Sequence, residues 1–466
     1  MTETTRPRTR FAPSPTGYMH IGNLRTAIFE YLLAKSGGGD FILRIEDTDQ
    51  ARLVPGSVDV ILKSLALAGV TYDEGPYYQS ERRGIYAEYA KRLVETGGAY
   101  YCFCEPKERG GYEKYDGACS RVPRAEAESR LRAGEPWVIR QRIPPGRTSF
   151  ADAVFGGITV DNAELDDQVL IKRDGMPTYN FANVVDDHLM GITHVVRGSE
   201  YLSSTPKYSL LYAALGWEPP VYVHLPLVLN ADGEKLSKRR GDASFEDLVA
   251  MGYLPRAIVN FVALLGWSPG DDREFFTLSE LAGAFSIKGL SKSPSVFDMN
   301  KLTWMNGEYF KRMDPEEFFG MALPSLKESV ARPADLRKIA EMCRTRINFI
   351  SDIPALVDFI DALPDYDASL YTHKKSKTDA AVSRSSLLAA REALAGAEPF
   401  DNDTVYRLLT ELAAVMGRKN SQLLWPARTA LSGKPTSPCG ASELCELLGK
   451  DETLARIDIG ISKLSE

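Results

Sequence analysis

Cysteine is scarce. Six Cys are spread over 466 residues, too few for a disulfide scaffold and in keeping with a reducing compartment. Excess positive charge is lacking too. Lys and Arg number 56 against 63 Asp and Glu, a net charge of −7. That excludes a uniformly basic nucleic-acid coat and leaves only a local basic face. No apolar run approaches the ~20 residues that cross a bilayer; the most apolar window, Ala257 to Trp267, is far too short. The start, Met1 to Arg10, is polar and basic with no apolar stretch close behind it, so no secretory pattern is present. A cytoplasmic chain with no membrane partner is expected. Heptads, internal repeats and long low-complexity tracts are absent.

What is present is ordinary globular material, 44% hydrophobic and 26% charged. Its length suggests about three domains at roughly 150 residues each. Asn23 to Ser36 carries apolar residues at helical spacing and stops at Gly37-Gly38-Gly39. Phe41 to Ile45 reads as a strand and Val58 to Leu67 as a second helix. This alternation predicts a doubly wound α/β domain with a parallel sheet. From Tyr86 to Met176 the pattern is less regular, with a Cys pair, a Gly-rich loop near Gly110-Gly111, a helix over Arg124 to Arg132 and short strands over Trp137 to Gln141 and Val169 to Lys172. It reads as an inserted α+β module. The α/β pattern then returns, with a strand over His194 to Val196, a helix over Ser203 to Leu215 and a strand over Val221 to Leu229. Beyond Phe245 the chain reads as all-helical, Pro255 to Leu265, Leu336 to Phe349 and Val405 to Val415 being the clearest cases.

Three segments carry chemistry. In Arg10-Phe11-Ala12-Pro13-Ser14-Pro15-Thr16-Gly17-Tyr18-Met19-His20-Ile21-Gly22-Asn23, a strand ends, the chain turns, and a helix N-terminus presents N–H groups suited to phosphate. Taken alone, His20 and Gly22 fit a proline-rich turn before a buried helix equally well. In Asn230-Ala231-Asp232-Gly233-Glu234-Lys235-Leu236-Ser237-Lys238-Arg239-Arg240-Gly241, a turn is followed by four cations within six residues, a loop suited to polyphosphate or simply solvated. In Gly417 to Lys434, Arg418, Lys419, Arg428 and Lys434 surround Trp425 without an acid. Cations with an aromatic suit single-stranded or looped nucleic acid, although Trp425 fits a helical core as well. Lys374, Lys375, Lys377, Arg384 and Arg391 make a second basic stretch.

Together, His20-Ile21-Gly22-Asn23 and Lys235-Leu236-Ser237-Lys238-Arg239 resemble the two signatures of class I aminoacyl-tRNA synthetases. The runs Arg10 to Gly17, Arg44-Ile45-Glu46-Asp47-Thr48-Asp49 and Tyr179 to His188 resemble the bacterial-type glutamyl branch. The similarity runs through nearly the whole chain. Asn23 departs from the signature, which has a second His there.

The resemblance implies a Rossmann-type catalytic domain at 1–85 and 177–240, split by an acceptor-stem-binding insertion at 86–176. A stem-contact helical domain at 241–320 and anticodon-binding helical domains at 321–390 and 391–466 follow. It implies a monomer that joins L-glutamate to tRNA(Glu) using ATP with Mg²⁺. The catalytic residues implied are His20, Lys235 and Lys238, with Gly22, Asn23, Tyr201, Leu236, Ser237 and Arg239 also at the ATP. Arg10 and Arg197 are implied as the cations for the glutamate carboxylates and Glu46 as the partner of its ammonium, with Ala12, Ser14, Tyr179 and Asn183 beside them. Guanidinium suits this task because its fork matches two carboxylate oxygens. Lys374, Lys375, Lys377, Arg418, Lys419 and Arg428 are the residues implied for tRNA.

Relatives of this kind bind zinc in the insertion through two Cys, a third Cys, and a His or Tyr. Cys102, Cys104, Cys119 and Tyr115 match, since Arg121 cannot ligate; reduced free thiols are the alternative. The paralogue that glutamylates a tRNA base is disfavoured by some two hundred residues after the lysine loop. A catalytically inactive tRNA-binding homologue is disfavoured by the intact His20, Gly22, Lys235 and Lys238. Whether tRNA(Gln) is charged as well stays open. Lys238→Ala is expected to slow adenylate formation by about 10²–10³ and to leave tRNA affinity nearly unchanged. A near-normal rate in glutamate-dependent pyrophosphate exchange, measured with tRNA present, would refute the role of Lys238.

Overall fold

The computed structural model describes residues 6–105, 114–236 and 243–465. Ser237, Lys238, Arg239 and the loop at Gly110-Gly111 lie outside the described residues. The chain divides into two compact units, 1–302 and 303–466.

Unit 1 carries the strands. They are β1 (Arg8–Phe11), β2 (Asp40–Ile45), β3 (Glu74–Tyr78), β4 (Ala99–Cys102), β5 (Val138–Gln141), β6 (Arg147–Asp152), β7 (Gly156–Asp161), β8 (Val169–Ile171), β9 (His194–Gly198) and β10 (Val221–Leu225). Between them run helices α1 (Ile21–Ser36), α2 (Ser57–Leu67), α3 (Arg83–Thr96), α4 (Arg124–Arg132), α5 (Tyr179–Leu189) and α6 (Thr205–Leu215). β1, β2 and β3 form one parallel half-sheet. A second half has the order β7-β6-β10-β9, parallel except where β7 turns back on β6. β4, β5 and β8 make a separate antiparallel sheet. Strands β6 and β7, which fall inside the stretch read as an insertion, thus belong to the same sheet as β9 and β10.

Local sequence explains most boundaries. α1 ends at the glycines because Gly39 lies against the Pro7 carbonyl, which a Cβ would overlap. That approach lets the Asp40 N–H donate to Pro7 O at 3.1 Å and start β2. The strand expected over Val221 to Leu229 is interrupted at Pro226, which has no N–H for a ladder. It resumes as β11 (Val228–Leu229), paired with β12 (Ser295–Val296). The helix expected over Leu336 to Phe349 ends at Arg344.

The two half-sheets meet at β1 and β9. At one end the backbone joins them: Thr193 N donates to Arg8 O at 2.9 Å. Toward the other end a side chain stands between them. Glu30 of α1, wholly buried, takes the Val196 N–H and the Arg10 Nη1–H on the same Oε1, both at 3.0 Å. A crevice therefore opens beyond the C-terminal ends of β1 and β9, where open α/β sheets bind ligands.

Unit 2 is helical. Its helices include Pro315–Ser329, Leu336–Arg344, Ala380–Ala395, Asn402–Val415, Asn420–Ser432, Ala441–Leu448 and Lys450–Lys463. Four of them start on Asp N-caps: Asp314, Asp335, Asp379 and Asp401 each accept backbone N–H groups of the first turn. Each such cap is worth about 1 kcal/mol. Arg456 is buried at the centre and donates to the carbonyls of Phe359, Ile360 and Leu431. Among the described residues no helix is long and apolar enough to cross a membrane.

Glu30→Ala leaves the buried Val196 N–H and Arg10 Nη1–H without their acceptor and is expected to cost about 3–5 kcal/mol. Glu30→Gln keeps an accepting oxygen and should cost less. Urea denaturation of both checks this; equal losses, or a loss under about 1 kcal/mol for the alanine, would refute the joining role of Glu30.

Candidate active site at the divided sheet

Arg10 on β1 and Arg197 on β9 face each other across the split, and both are buried. Arg10 is compensated by carboxylates. Its Nε donates to Asp187 Oδ1 at 2.9 Å, and its Nη1 donates to Glu30. Behind it Arg44, fully buried, reaches Asp187 at 2.8 Å, Glu46 at 3.3 Å and Asp186 at 3.8 Å. Asp186 also accepts from Gln79 at 3.0 Å, Arg82 at 2.8 Å and the Tyr86 hydroxyl at 2.7 Å. Such a cluster is stable only when its charges are paired and hydrogen-bonded.

The balance differs from group to group. Burial disfavours every charge, but Asp187, with Glu30, outweighs it for Arg10 and holds that guanidinium above its ordinary range. Burial likewise opposes the Asp187 carboxylate, and Arg10 and Arg44 outweigh it to hold the carboxyl low. For Glu30 burial dominates despite Arg10 and pushes the carboxyl up to about 8. For Glu46 burial dominates despite Arg44 and pushes it up to about 7. Glu46 Oε2 is buried with no hydrogen-bond partner, so this carboxyl holds back one acceptor at the edge of the crevice.

Arg197 is held differently. Its Nε donates to His224 Nε2 at 3.1 Å and its Nη2 to Thr205 Oγ1 at 2.9 Å. The rings of Tyr201, Tyr208 and Tyr222 surround the guanidinium at 5.4, 4.6 and 5.4 Å. Tyr179 at the start of α5 packs on Tyr201, centroids 5.6 Å apart.

At the start of α1, His20 is the N-cap, and its Nδ1 accepts the Gly22 N–H at 3.0 Å. That N–H is therefore not presented outward. The bond also fixes the neutral imidazole as the Nε2–H tautomer, a donor. A Cβ on Gly22 would lie 3.2 Å from His20 Nδ1, so the glycine accommodates the ring. Opposite, Asn230 Oδ1 accepts from Asp232 N at 3.0 Å and Glu234 N at 2.9 Å, tightening the turn that returns Lys235 to the crevice. Lys235 Nζ rests 3.3 Å from Glu200 in an exposed pair.

Part of this set lines one cavity of about 410 Å³. Of the residues singled out in the sequence, Arg10, Ala12, Ser14, His20, Gly22, Asn23, Glu46, Tyr179, Arg197, Tyr201, Lys235 and Leu236 line it. Leu236 is itself buried in the core. Asn183 is not at the wall. It lies one turn along α5 from Tyr179, buried, with its Nδ2 unpartnered. Sequence reading did not find Glu30, Arg44, Asp187, Asp152 or His224. Arg44 and Asp187 lie inside quoted motifs, but Glu30, Asp152 and His224 carry no local signal.

The family model for the catalytic domain of class I tRNA synthetases (E and Q) matches residues 7–304, and an anticodon-binding domain model matches 317–461. A glutamate–tRNA ligase of Lachnoclostridium phytofermentans is 54% identical, covering 98% of this chain and 99% of its own. One of Clostridium novyi is 55% identical, covering 98% of each. The crystal structure of a glutamate tRNA ligase from Elizabethkingia meningosepticum in complex with its amino acid superposes with a TM-score of 0.84 at 35% identity, over 98% of this chain and 100% of that one. The chain belongs to the glutamate–tRNA ligases.

Two further places in this ligase bear on the sequence reading. Cys102, Cys104 and Cys119 converge, their sulfur atoms all within 4.8 Å of one another. Tyr115 Oη stands 3.4 Å from Cys102 Sγ and 3.6 Å from Cys104 Sγ, and Cys104 and Cys119 Sγ are 3.4 Å apart. A zinc tetrahedron with Zn–S about 2.3 Å and Zn–O about 2.0 Å spaces its ligand atoms about 3.5–3.8 Å apart, close to these three separations. Cys343, Cys439 and Cys445 are buried free thiols.

In unit 2, Lys374, Lys375 and Lys377 are exposed on a turn closed by the bridge between His373 and Thr378. Gln422 ties this turn to the exposed Lys419, donating to Lys377 O at 3.0 Å and accepting from Lys419 N at 3.1 Å. Arg418 is spent internally: Nη1 donates to Ser386 Oγ and Nη2 to Ser385 Oγ, both at 2.7 Å. Arg428 lies over Trp425 at 4.4 Å and donates to the carbonyls of Lys434 and Pro435. Trp425 is half-buried, stacked on His373 at 3.7 Å.

Proposed function

We infer that the chain activates L-glutamate with ATP and passes it to the 3′-terminal ribose of tRNA(Glu). The observation that carries this reading is one crevice flanked by two unlike guanidiniums and a desolvated carboxyl with a spare acceptor. That set complements an amino acid bearing two carboxylates and one ammonium. In the first step the glutamate α-carboxylate attacks the α-phosphorus of ATP and pyrophosphate leaves. No protein nucleophile or strong base is needed, because the carboxylate is already ionised. Catalysis is positioning and stabilisation of charge on the phosphates. In the second step a ribose hydroxyl attacks the acyl carbon and AMP leaves.

His20 donates from Nε2 to the α-phosphate region. Lys235 exchanges Glu200 for the polyphosphate; exposed pairs of that kind are worth about 0–1 kcal/mol, so the exchange is cheap. Mg²⁺ accompanies the ATP. Arg10 and Arg197 hold the substrate carboxylates, Glu46 its ammonium, and Ser14 and Tyr179 complete the pocket, with Asn183 one turn behind Tyr179. Lys374, Lys375, Lys377 and Lys419 offer a clustered basic surface to the tRNA. Arg418 is bonded to the helix Ala380–Ala395 and Arg428 to the loop at Lys434 and Pro435, so both act on tRNA through the elements they hold. Side-by-side charging of purified tRNA(Glu) and tRNA(Gln) with labelled glutamate tests the reading. Acylation of tRNA(Glu) supports it, and acylation of neither overturns it.

Zinc fits Cys102, Cys104, Cys119 and Tyr115, where it would cross-link the loop after β4. One equivalent of zinc is expected by elemental analysis, lost in Cys104→Ser and Cys119→Ser. Zinc-free purified protein, or unaltered zinc content in both variants, would sink this assignment.

The Glu46 carboxyl, raised to about 7 by burial, must be ionised to hold an ammonium. Binding then releases a proton. Glutamate affinity is expected to be flat above pH 7 and to weaken below it, approaching about tenfold per pH unit. Glu46→Gln should bind weakly at every pH and lose the slope. Equilibrium binding between pH 6 and 8 checks this, and a level wild-type profile would refute it.

A further inference from the structure

Behind Arg197 lies a buried relay. Asp152, at the end of β6, is fixed by four N–H groups. Its Oδ1 accepts from Val154 N at 2.9 Å and Phe155 N at 2.7 Å. Its Oδ2 accepts from His224 N at 3.1 Å and lies 2.6 Å from His224 Nδ1. A carboxylate can only accept here, so Nδ1 carries the imidazole proton and Nε2 is left as a bare acceptor. That acceptor meets Arg197 Nε at 3.1 Å. Thr205 Oγ1 donates to Tyr201 O at 2.8 Å, so it too acts as an acceptor toward Arg197 Nη2. Asp152 and Thr205 are buried, and His224 is wholly so.

The contrast with Arg10 gives the relay its meaning. Arg10 touches the Asp187 carboxylate, held low and so ionised, which offsets its charge, and the Glu30 carboxyl beside it. The two atoms that hold Arg197 are neutral, and Asp152 acts on it only through the imidazole. Burial and the Arg197 charge both work to keep His224 uncharged. Arg197 is thereby oriented by two hydrogen bonds to neutral acceptors, which leave its charge available to a ligand.

We propose that Asp152 and His224 are positioning residues that fix the imidazole tautomer and so aim an uncompensated Arg197 at a substrate carboxylate. This deepens the glutamate-binding reading above and rests on it. Asp152→Asn preserves shape but places an amide among four donors; whichever way it turns, one set of bonds is broken. With the amide nitrogen toward His224, the ring takes the Nε2–H tautomer and points a donor at a donor. His224→Phe removes the acceptor. His224→Gln restores an acceptor near the same place.

The test is steady-state aminoacylation of tRNA(Glu), with KM measured separately for glutamate and ATP. Asp152→Asn and His224→Phe are expected to raise the glutamate KM by about 10–100-fold, with the ATP KM within about twofold of wild type and with partial recovery in His224→Gln. A wild-type glutamate KM in either folded variant, an equal rise in both KM values, or a His224→Gln no better than His224→Phe would overturn the proposal. A second measurement needs no variant: in ¹⁵N-histidine spectra of the wild-type protein, one imidazole should be locked as Nδ1–H, and its absence would overturn the tautomer assignment. Wild-type protein that charges no tRNA with glutamate would instead overturn the functional reading itself.

Discussion

A single buried carboxyl group decides where the site forms. Glu30 fills the gap between β1 and β9, taking one N–H from each side on the same oxygen. If backbone bonds closed that gap throughout, the sheet would be continuous and there would be no crevice. A carboxyl group can span it because one of its oxygens accepts both hydrogen bonds, which offset part of its desolvation. Arg10, Asp187 and Arg44 then continue the chain of opposite charges inward. Each carries another's burial cost, so the cluster stands or falls as a unit.

The two arginines show how one residue type is put to two uses by its neighbours. Arg10 stands at the cavity wall with its charge offset within the protein by Asp187. Arg197 is aimed by neutral acceptors and ringed by tyrosine faces, and no carboxylate among the described residues touches it. A pocket built of two matched guanidiniums would have little net attraction for a dianionic side. One built of two unmatched ones would face steep like-charge repulsion when empty. Pairing one of each avoids both.

Much of the site was legible because its residues sit in contiguous motifs. His20, Gly22, Lys235 and Glu46 fall in runs whose spacing and turn chemistry survive translation into structure, and the periodicity from Asn23 to Ser36 marked α1 to within two residues. The supporting residues were not legible. Glu30 looks like any polar position on an amphipathic helix, and nothing in the sequence says that α1 is covered on both sides. Asp152 and His224 are 72 positions apart and meet only through the pairing of β6 with β10. Arg418 and Arg428 read as free cations because composition counts charges and cannot see the hydroxyls and carbonyls that engage them. Pro226, by contrast, was a readable break within the strand expected over Val221 to Leu229.

The cavity is thus uneven in stiffness. On the side proposed for the amino acid, Arg10, Glu46 and Arg197 are buried and bonded to groups that are themselves buried. On the side proposed for the nucleotide, Lys235 rests in an exposed pair on a tight turn, and its partner Glu200 sits on a short segment after β9. Discriminating between similar amino acids needs groups that cannot adjust, since a movable cation would accept a neutral amide almost as readily as a carboxylate. Gripping a polyphosphate whose charge shifts during reaction needs groups that change partners at little cost. The distribution of burial between the two halves matches those two demands, and both halves start from the same division of the sheet at Glu30.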